Sequence, residues 1–182
     1  WWGMLMTSTD GGKTWANRRK LGRHDKVGHL LGPVKNKPVQ LADGAILCPT
    51  STEHKGWRVH FEITRDLGKT WSVIGPINDG KEFGAIQPSI LTYADGRMQV
   101  MCRSQQSVVT QSESKDGGKT WSKRLPTPAS WATSREVPTL HRVVDAKGKK
   151  RLIMWSGLYP ARLAGSEDDG ANWSELKPAG DW

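Results

Sequence analysis

The chain has 182 residues, 36% of them hydrophobic and 25% charged, a balance that indicates a folded protein and excludes a disordered one. Its 27 basic and 18 acidic side chains leave a net charge of +9, which favours acidic partners. The basic residues are scattered, and no apolar stretch reaches the roughly 18 residues that span a bilayer, so neither nucleic acid nor a membrane is expected as a partner.

Four octapeptides with one pattern recur along the chain, and we call each of them an Asp box. Each has a hydroxyl residue, an Asp, a Gly, a Thr or Asn, and a final Trp. They are STDGGKTW at 8–15, TRDLGKTW at 64–71, SKDGGKTW at 114–121 and SEDDGANW at 166–173. A recurrence of about 50 residues, with several short strand patterns in between, is typical of propeller blades.

The Asp box has the composition of a hairpin turn. Its Asp carboxylate can accept backbone N–H groups within the loop, its Gly permits a strained backbone conformation, and its Trp packs inward as the next strand starts. Local bonding therefore accounts for the aspartates, which are Asp10, Asp66, Asp116 and Asp168. We predict that they are structural and not catalytic.

Between the boxes, each repeat carries signals for further strands. A proline marks the start of the first strand; these prolines are Pro38, Pro88 and Pro138. Asp43-Gly44, Asp95-Gly96 and a looser turn at 145–150 precede the apolar strands AILCPTS, RMQVMCRS and RLIMWSG. Each repeat thus predicts strand A, a turn, strand B, a loop, strand C, the Asp box and strand D.

The predicted fold is all-β, a β-propeller of four-stranded antiparallel blades that forms one partial domain over 1–182. The blades lie at about 33–79, 84–127 and 134–182, and a half blade lies at 1–21. About three and a half blades fall short of the roughly four to eight that close a ring, and open blade edges promote aggregation. We therefore expect a fragment, or a chain that self-associates or binds a complementary chain.

The blade pattern also predicts where a ligand would bind. Asp boxes and A–B turns collect at one face, so the opposite face carries the residues before strand A and the B–C loops. Before strand A these are Asn36, Lys37, Gln87, Arg135 and Glu136. In or beside the B–C loops they are Glu53, His54, Arg58, Arg103 and Tyr159. Because the set mixes arginines with carboxylates, we interpret it as a site for an acidic carbohydrate.

Several of these residues also have a purely structural interpretation. Arg103 binds a ligand or pairs with a neighbouring blade, and Glu53 is an acid or base only if burial raises its pKa. Trp131, in a loop of Pro, Ala and Ser, is a better candidate than Trp155 for stacking on a sugar ring. Two cysteines without metal spacing are predicted to be buried thiols, so neither a metal nor a cofactor is expected.

A family resemblance rests on particular segments. The Asp boxes with GPVKNKPVQLADGAILCPTSTE, FGAIQPSIL and CRS resemble the BNR-repeat branch of the sialidase superfamily, closely over residues 1 to about 127. REVPTLHRVVD at 135–145 resembles the arginine-x-proline stretch that opens the first blade of such proteins, with one residue inserted. The resemblance implies a six-bladed exo-glycosidase acting on terminal sialic acids, and a secreted or periplasmic location.

The resemblance also implies roles for residues. In this family three arginines clamp the substrate carboxylate, a Tyr with a Glu forms the nucleophile, and an Asp is acid and base. Arg135 resembles the first clamp arginine, and Tyr159 is the only tyrosine on the predicted site face. The candidate catalytic residues are thus Tyr159, Glu53 and Glu136. The alternative is a noncatalytic propeller that binds carbohydrate or protein, natural or recombined from blades.

Overall fold

The computed structural model describes residues 1–123, 125–126, 139–144, 147–156, 162–168 and 172–176, and every regular element in these ranges is a β-strand. The strands are β1 Met4–Thr7, β2 Ala16–Lys20, β3 Arg23–His24, β4 Gly28–His29, β5 Val39–Gln40, β6 Ile46–Thr52, β7 Arg58–Thr64, β8 Ser72–Ile74, β9 Ala85–Thr92, β10 Met98–Ser104, β11 Thr110–Ser114, β12 Leu125–Pro126, β13 Thr139–Val144, β14 Lys150–Ser156, β15 Arg162–Ser166 and β16 Ser174–Leu176. Within these ranges, no helix is long and apolar enough to cross a membrane.

The strands form consecutive antiparallel sheets. β5 to β8, β9 to β12 and β13 to β16 are four-stranded sheets in which each strand pairs with the next one along the chain. We call them blades 2, 3 and 4, and the β1–β2 pair is the half blade. The predicted all-β fold of antiparallel Asp-box blades is confirmed, although no closed ring is seen among the described residues.

Two details differ from the sequence prediction. A small hairpin, β3–β4, lies between the half blade and blade 2 and was not predicted. Strand A of blade 3 begins at Ala85 and not at Pro88, so Gln87 lies inside the strand and not before it. The reason is a bulge in the β9–β10 pairing between Met101 and Arg103, which allows a proline within the strand.

Each Asp box closes the turn between strands C and D through its own side chains. In the second box, the Thr70 backbone N–H donates to Asp66 Oδ1 at 2.8 Å and the Thr70 hydroxyl donates to Asp66 Oδ2 at 2.6 Å. The hydroxyl of Thr64 accepts the Gly68 N–H at 2.8 Å. The other three boxes repeat the bonds to both carboxylate oxygens, which confirms the predicted hairpin turn.

These bonds also decide the charge of the box aspartates. The hydroxyl and backbone N–H of Thr70 stabilise the Asp66 carboxylate and lower its pKa to about 2. The pKa of Asp116 is about 2 for the same reason, through Thr120. Both side chains are therefore ionised near neutral pH and cannot donate a proton there, which supports the prediction that they are not catalytic acids.

Blades 2, 3 and 4 are held together by apolar side chains between neighbouring sheets. Phe61 of β7 is fully buried and lies in one core with residues of β9 and β10. Its ring stacks on the Asp-box residue Trp121, with 4.4 Å between ring centroids. A second core joins blades 3 and 4, and the Asp-box residue Trp173 packs against it. The tryptophan of the third Asp box thus packs on the preceding blade, and that of the fourth packs on the core shared by blades 3 and 4.

Candidate functional site

The edge of the sheets away from the Asp boxes is formed by the ends of strands and by the B–C loops. β6 ends at Thr52, whose register partner is Arg58 at the start of β7. In blade 3, Arg103 near the end of β10 pairs with Ile86 near the start of β9. We call residues 51–58, 84–87 and 103–109 the loop edge. The register of two neighbouring blades therefore brings polar predicted site residues to one edge.

Arg103 is the predicted site residue whose surroundings most favour binding of an anion. It is half-buried, and its guanidinium carbon lies 5.1 Å from the centroid of the Trp57 ring. Its Nε is buried without a hydrogen-bond partner, and in the described part of the chain it has no carboxylate partner. By contrast, Arg97 at the opposite edge donates to Asp95 at 2.7 Å.

Gln87 is held by groups of the preceding blade. Its backbone N–H donates to the Ser51 hydroxyl at 3.1 Å, and its carbonyl accepts the Asn36 amide at 3.2 Å. Asn36 also donates to the carbonyl of Pro88 at 3.0 Å. The Asn36 amide nitrogen thus bonds two backbone carbonyls of blade 3. In contrast, the side-chain Oε1 of Gln87 is buried and has no partner.

The remaining described candidates differ in exposure. Arg58 is half-buried, packs its side-chain stem near Gly80, and donates to the carbonyl of His54 at 3.4 Å. Glu53, His54 and Lys37 are exposed. Glu53 therefore lacks the burial on which an acid or base role depends. The other predicted site residues, Arg135, Glu136, Trp131 and Tyr159, lie outside the described residues.

Sequence reasoning missed the part played by Trp57. It considered tryptophans outside the boxes and favoured Trp131, whereas the structure places the Trp57 ring beneath the Arg103 guanidinium. This contact is a cation–π interaction between neighbouring blades, which also limits the directions in which the guanidinium can point. The only available signal was the position of Trp57 beside Arg58 in a B–C loop.

A buried carboxylate supports the segment before strand A of blade 2. Glu62 on β7 is fully buried and accepts the backbone N–H groups of Leu31 and Gly32 at 3.0 Å and 2.7 Å. His60 Nε2 lies 3.2 Å from the same carboxylate. Five residues after Leu31 the chain reaches Asn36, whose side-chain amide bonds carbonyls of blade 3, so Glu62 anchors the segment that leads to this contact. It was not predicted as a site residue.

Chemically, the loop edge offers cations and hydrogen-bonding groups. Orphaned buried polar atoms there belong to Thr52, Arg58, Gln87 and Arg103. No group of His, Cys, Asp and Glu side chains that could hold a metal occurs among the residues with described positions. What these residues can do is bind an anion and form hydrogen bonds to it.

Several solved structures share the fold at low sequence identity. A protein of unknown function from Dyadobacter fermentans gives a TM-score of 0.73 at 16% identity, with 98% of this chain and 53% of that chain covered. The K499G mutant of the NanB sialidase from Streptococcus pneumoniae gives 0.73 at 18%, covering 94% and 27%. A Penicillium chrysogenum alpha-L-arabinanase complexed with arabinobiose gives 0.63 at 17%, covering 96% and 58%.

These likenesses show the fold, and this chain spans between 27% and 58% of the length of these structures. Comparison with curated proteins finds no match. The family is shown by the sequence, since residues 1–177 match the model of the BNR repeat-like domain. The chain therefore belongs to the BNR repeat-like domain family.

Proposed function

We propose that this chain is part of a sialidase-like glycoside hydrolase propeller and that it binds an acidic glycan through Arg103 at the loop edge. The observation that carries the proposal is a half-buried guanidinium with no carboxylate partner in the described part of the chain. The family membership and the likeness to a sialidase structure support the same function.

The physical argument is one of charge compensation. Burying a cation is costly unless it is paired and hydrogen-bonded, and a ligand carboxylate would supply both through two parallel N–H···O bonds. Trp57 would hold the guanidinium in place for this contact. The net charge of +9 would also favour the approach of an anion.

Binding of free sugar acids tests the role of Arg103. We expect N-acetylneuraminic acid or D-glucuronic acid to bind the wild-type chain, and Arg103→Ala to weaken binding about tenfold or more, because a charge-assisted pair is lost. Arg103→Lys would recover part of the affinity, since it keeps the positive charge but not the two parallel N–H donors of a guanidinium. Isothermal titration calorimetry at two salt concentrations measures both effects.

The matched control is Arg97→Ala, which removes an arginine that already pairs with Asp95 at the opposite edge. It should leave sugar-acid affinity unchanged. Arabinobiose serves as the neutral ligand. Equal binding of arabinobiose and the sugar acids, or equal effects of Arg103→Ala and Arg97→Ala, would contradict the proposal.

A noncatalytic carbohydrate-binding propeller is the second candidate, and one observation favours it. Glu53, the described member of the candidate catalytic set, is exposed. A fluorogenic sialoside separates the two functions. Turnover that Tyr159→Phe abolishes would identify a hydrolase, whereas sugar-acid binding without turnover would identify a binding module.

We further propose that self-association of this chain, or a complementary chain, covers the exposed face of the half blade. Trp15 of the first Asp box is 59% exposed, together with Met4 and Met6 of β1, whereas the equivalent Trp121 packs on a neighbouring blade. By comparison with Trp121, we expect the face of another blade to cover Trp15. A second copy of this chain would supply such a face, and so would a complementary chain that carries blades.

Light scattering tests this association. If the chain self-associates, we expect a dimer or larger species at micromolar concentrations, and Trp15→Ser should shift the distribution towards monomer because it removes the large exposed side chain of the first Asp box. Val144→Ser, at a position 61% exposed on blade 4, is the control. A monodisperse wild-type monomer would count against self-association and favour a complementary chain.

A further inference from the structure

The backbone of Gln87 is in an unusual conformation for its place in the fold. Its φ is +58°, although it lies within strand β9. A side chain at positive φ is crowded by its own backbone, and such strain is found where the surroundings enforce it, often at functional sites. Glycine would adopt this φ without strain.

The surroundings that enforce the conformation come from two blades. Ser51 and Asn36 of the preceding blade bind the backbone N–H and carbonyl of Gln87. The pairing of β9 with β10 bulges at the same place, between Met101 and Arg103. Bulges are frequent beside active sites because they redirect a side chain. The conformation is therefore fixed from both sides.

This arrangement holds in place the side chain of Gln87, which forms no hydrogen bond with the described residues. Oε1 of Gln87 is buried and lacks a hydrogen-bond partner, although a buried amide oxygen ordinarily has one. The residue before it, Ile86, is the register partner of Arg103. Two buried atoms without a hydrogen-bond partner, Oε1 of Gln87 and Nε of Arg103, thus belong to neighbouring positions on paired strands.

We propose that Gln87 is a specificity-determining residue, whose Oε1 accepts a hydrogen bond from a hydroxyl group that neighbours the ligand carboxylate bound by Arg103. The inference rests on the proposed function. The substrate class it selects is a sugar acid with a free hydroxyl beside its acid group. A sugar acid alkylated at that hydroxyl leaves the buried acceptor unsatisfied and is disfavoured.

A pair of acids that differ by one methyl group tests this. We expect the wild-type chain to prefer D-glucuronic acid to 4-O-methyl-D-glucuronic acid by about 3- to 10-fold, the value of one hydrogen bond. Gln87→Gly should lose that preference and bind both acids equally weakly. Because glycine relieves the positive φ, the same variant should unfold at an equal or higher temperature.

The combination of weaker binding and undiminished thermal stability separates a ligand contact from a structural role, which would lower both. Gln87→Asn, which tolerates positive φ but has a shorter side chain, is the second variant and should also lose the preference. Arg103→Ala should weaken both acids and keep their ratio.

The results of these binding experiments distinguish a failure of this inference from a failure of the proposed function. A preference that survives in Gln87→Gly and Gln87→Asn overturns the inference and leaves the proposed function standing. Failure of the wild-type chain to bind either acid overturns the proposed function and this inference with it. Equal binding of the two acids by the wild-type chain overturns the inference alone.

Discussion

Phe61→Ala is expected to lower the free energy of unfolding by about 3–5 kcal/mol, the usual cost of truncating a buried aromatic residue. Phe61 has no exposed surface and lies in the core between blades 2 and 3. Its stacking on Trp121 at 4.4 Å is also lost, and such a pair contributes about 0.5–1.5 kcal/mol beyond its buried area. Urea unfolding followed by tryptophan fluorescence measures the change.

Leu67→Ala is the control for this experiment. Leu67 is 74% exposed in the second Asp box, so its truncation should change stability by no more than about 0.5 kcal/mol. Phe61→Leu should fall between the two, because it keeps apolar volume without the ring. Equal stability of Phe61→Ala and the wild-type chain would mean that blades 2 and 3 do not share this core.

The parts of the fold that sequence predicted well are those with local causes. An Asp box contains the donors and acceptors of its own turn, as Asp66 and Thr70 show. The Asp-Gly turns work over a similar length, with Asp43 accepting the Ala45 N–H at 3.0 Å. Between these turns, apolar and polar residues alternate along the chain, and this alternation predicts the four strands of each repeat. No information from distant residues is needed.

The parts that sequence could not predict depend on contacts between blades. Val59, Phe61 and Ile63 alternate along β7 as a predicted apolar face would, and the other face would be expected to meet solvent. Instead His60 and Glu62 are fully buried there. Blades are covered on both sides, so polar residues are buried on the second face and must bond each other or distant backbone.

The candidate site likewise combines features that the sequence predicted with features that depend on contacts between blades. The position of Arg103 at a strand end followed from the blade pattern, but its contact with Trp57 joins two blades and could not be read from either. Asn36 was predicted from its position, and the carbonyls its amide reaches lie more than 50 residues away. The positive φ of Gln87 depends on those same contacts.

The buried Glu62 leads to the second large effect. Glu62→Ala is expected to lower the free energy of unfolding by about 3–5 kcal/mol, because removing one member of a buried charged network leaves its partners unsatisfied. The Leu31 and Gly32 N–H groups lose their acceptor, and His60 Nε2 loses its side-chain partner. Chemical unfolding gives the loss, and amide hydrogen exchange at residues 31 and 32 gives its location.

Glu62→Gln is the matched control, since it keeps the shape and one carbonyl acceptor but removes the charge. It should cost about 1.5–3 kcal/mol, the range for a hydrogen bond to a charged group. If Glu62 served only to fill space, the two variants would differ mainly by volume and the exchange of the Leu31 and Gly32 amides would be unchanged. Faster exchange confined to residues 31 and 32 in Glu62→Gln would instead show that the Glu62 carboxylate holds the segment that leads to Asn36.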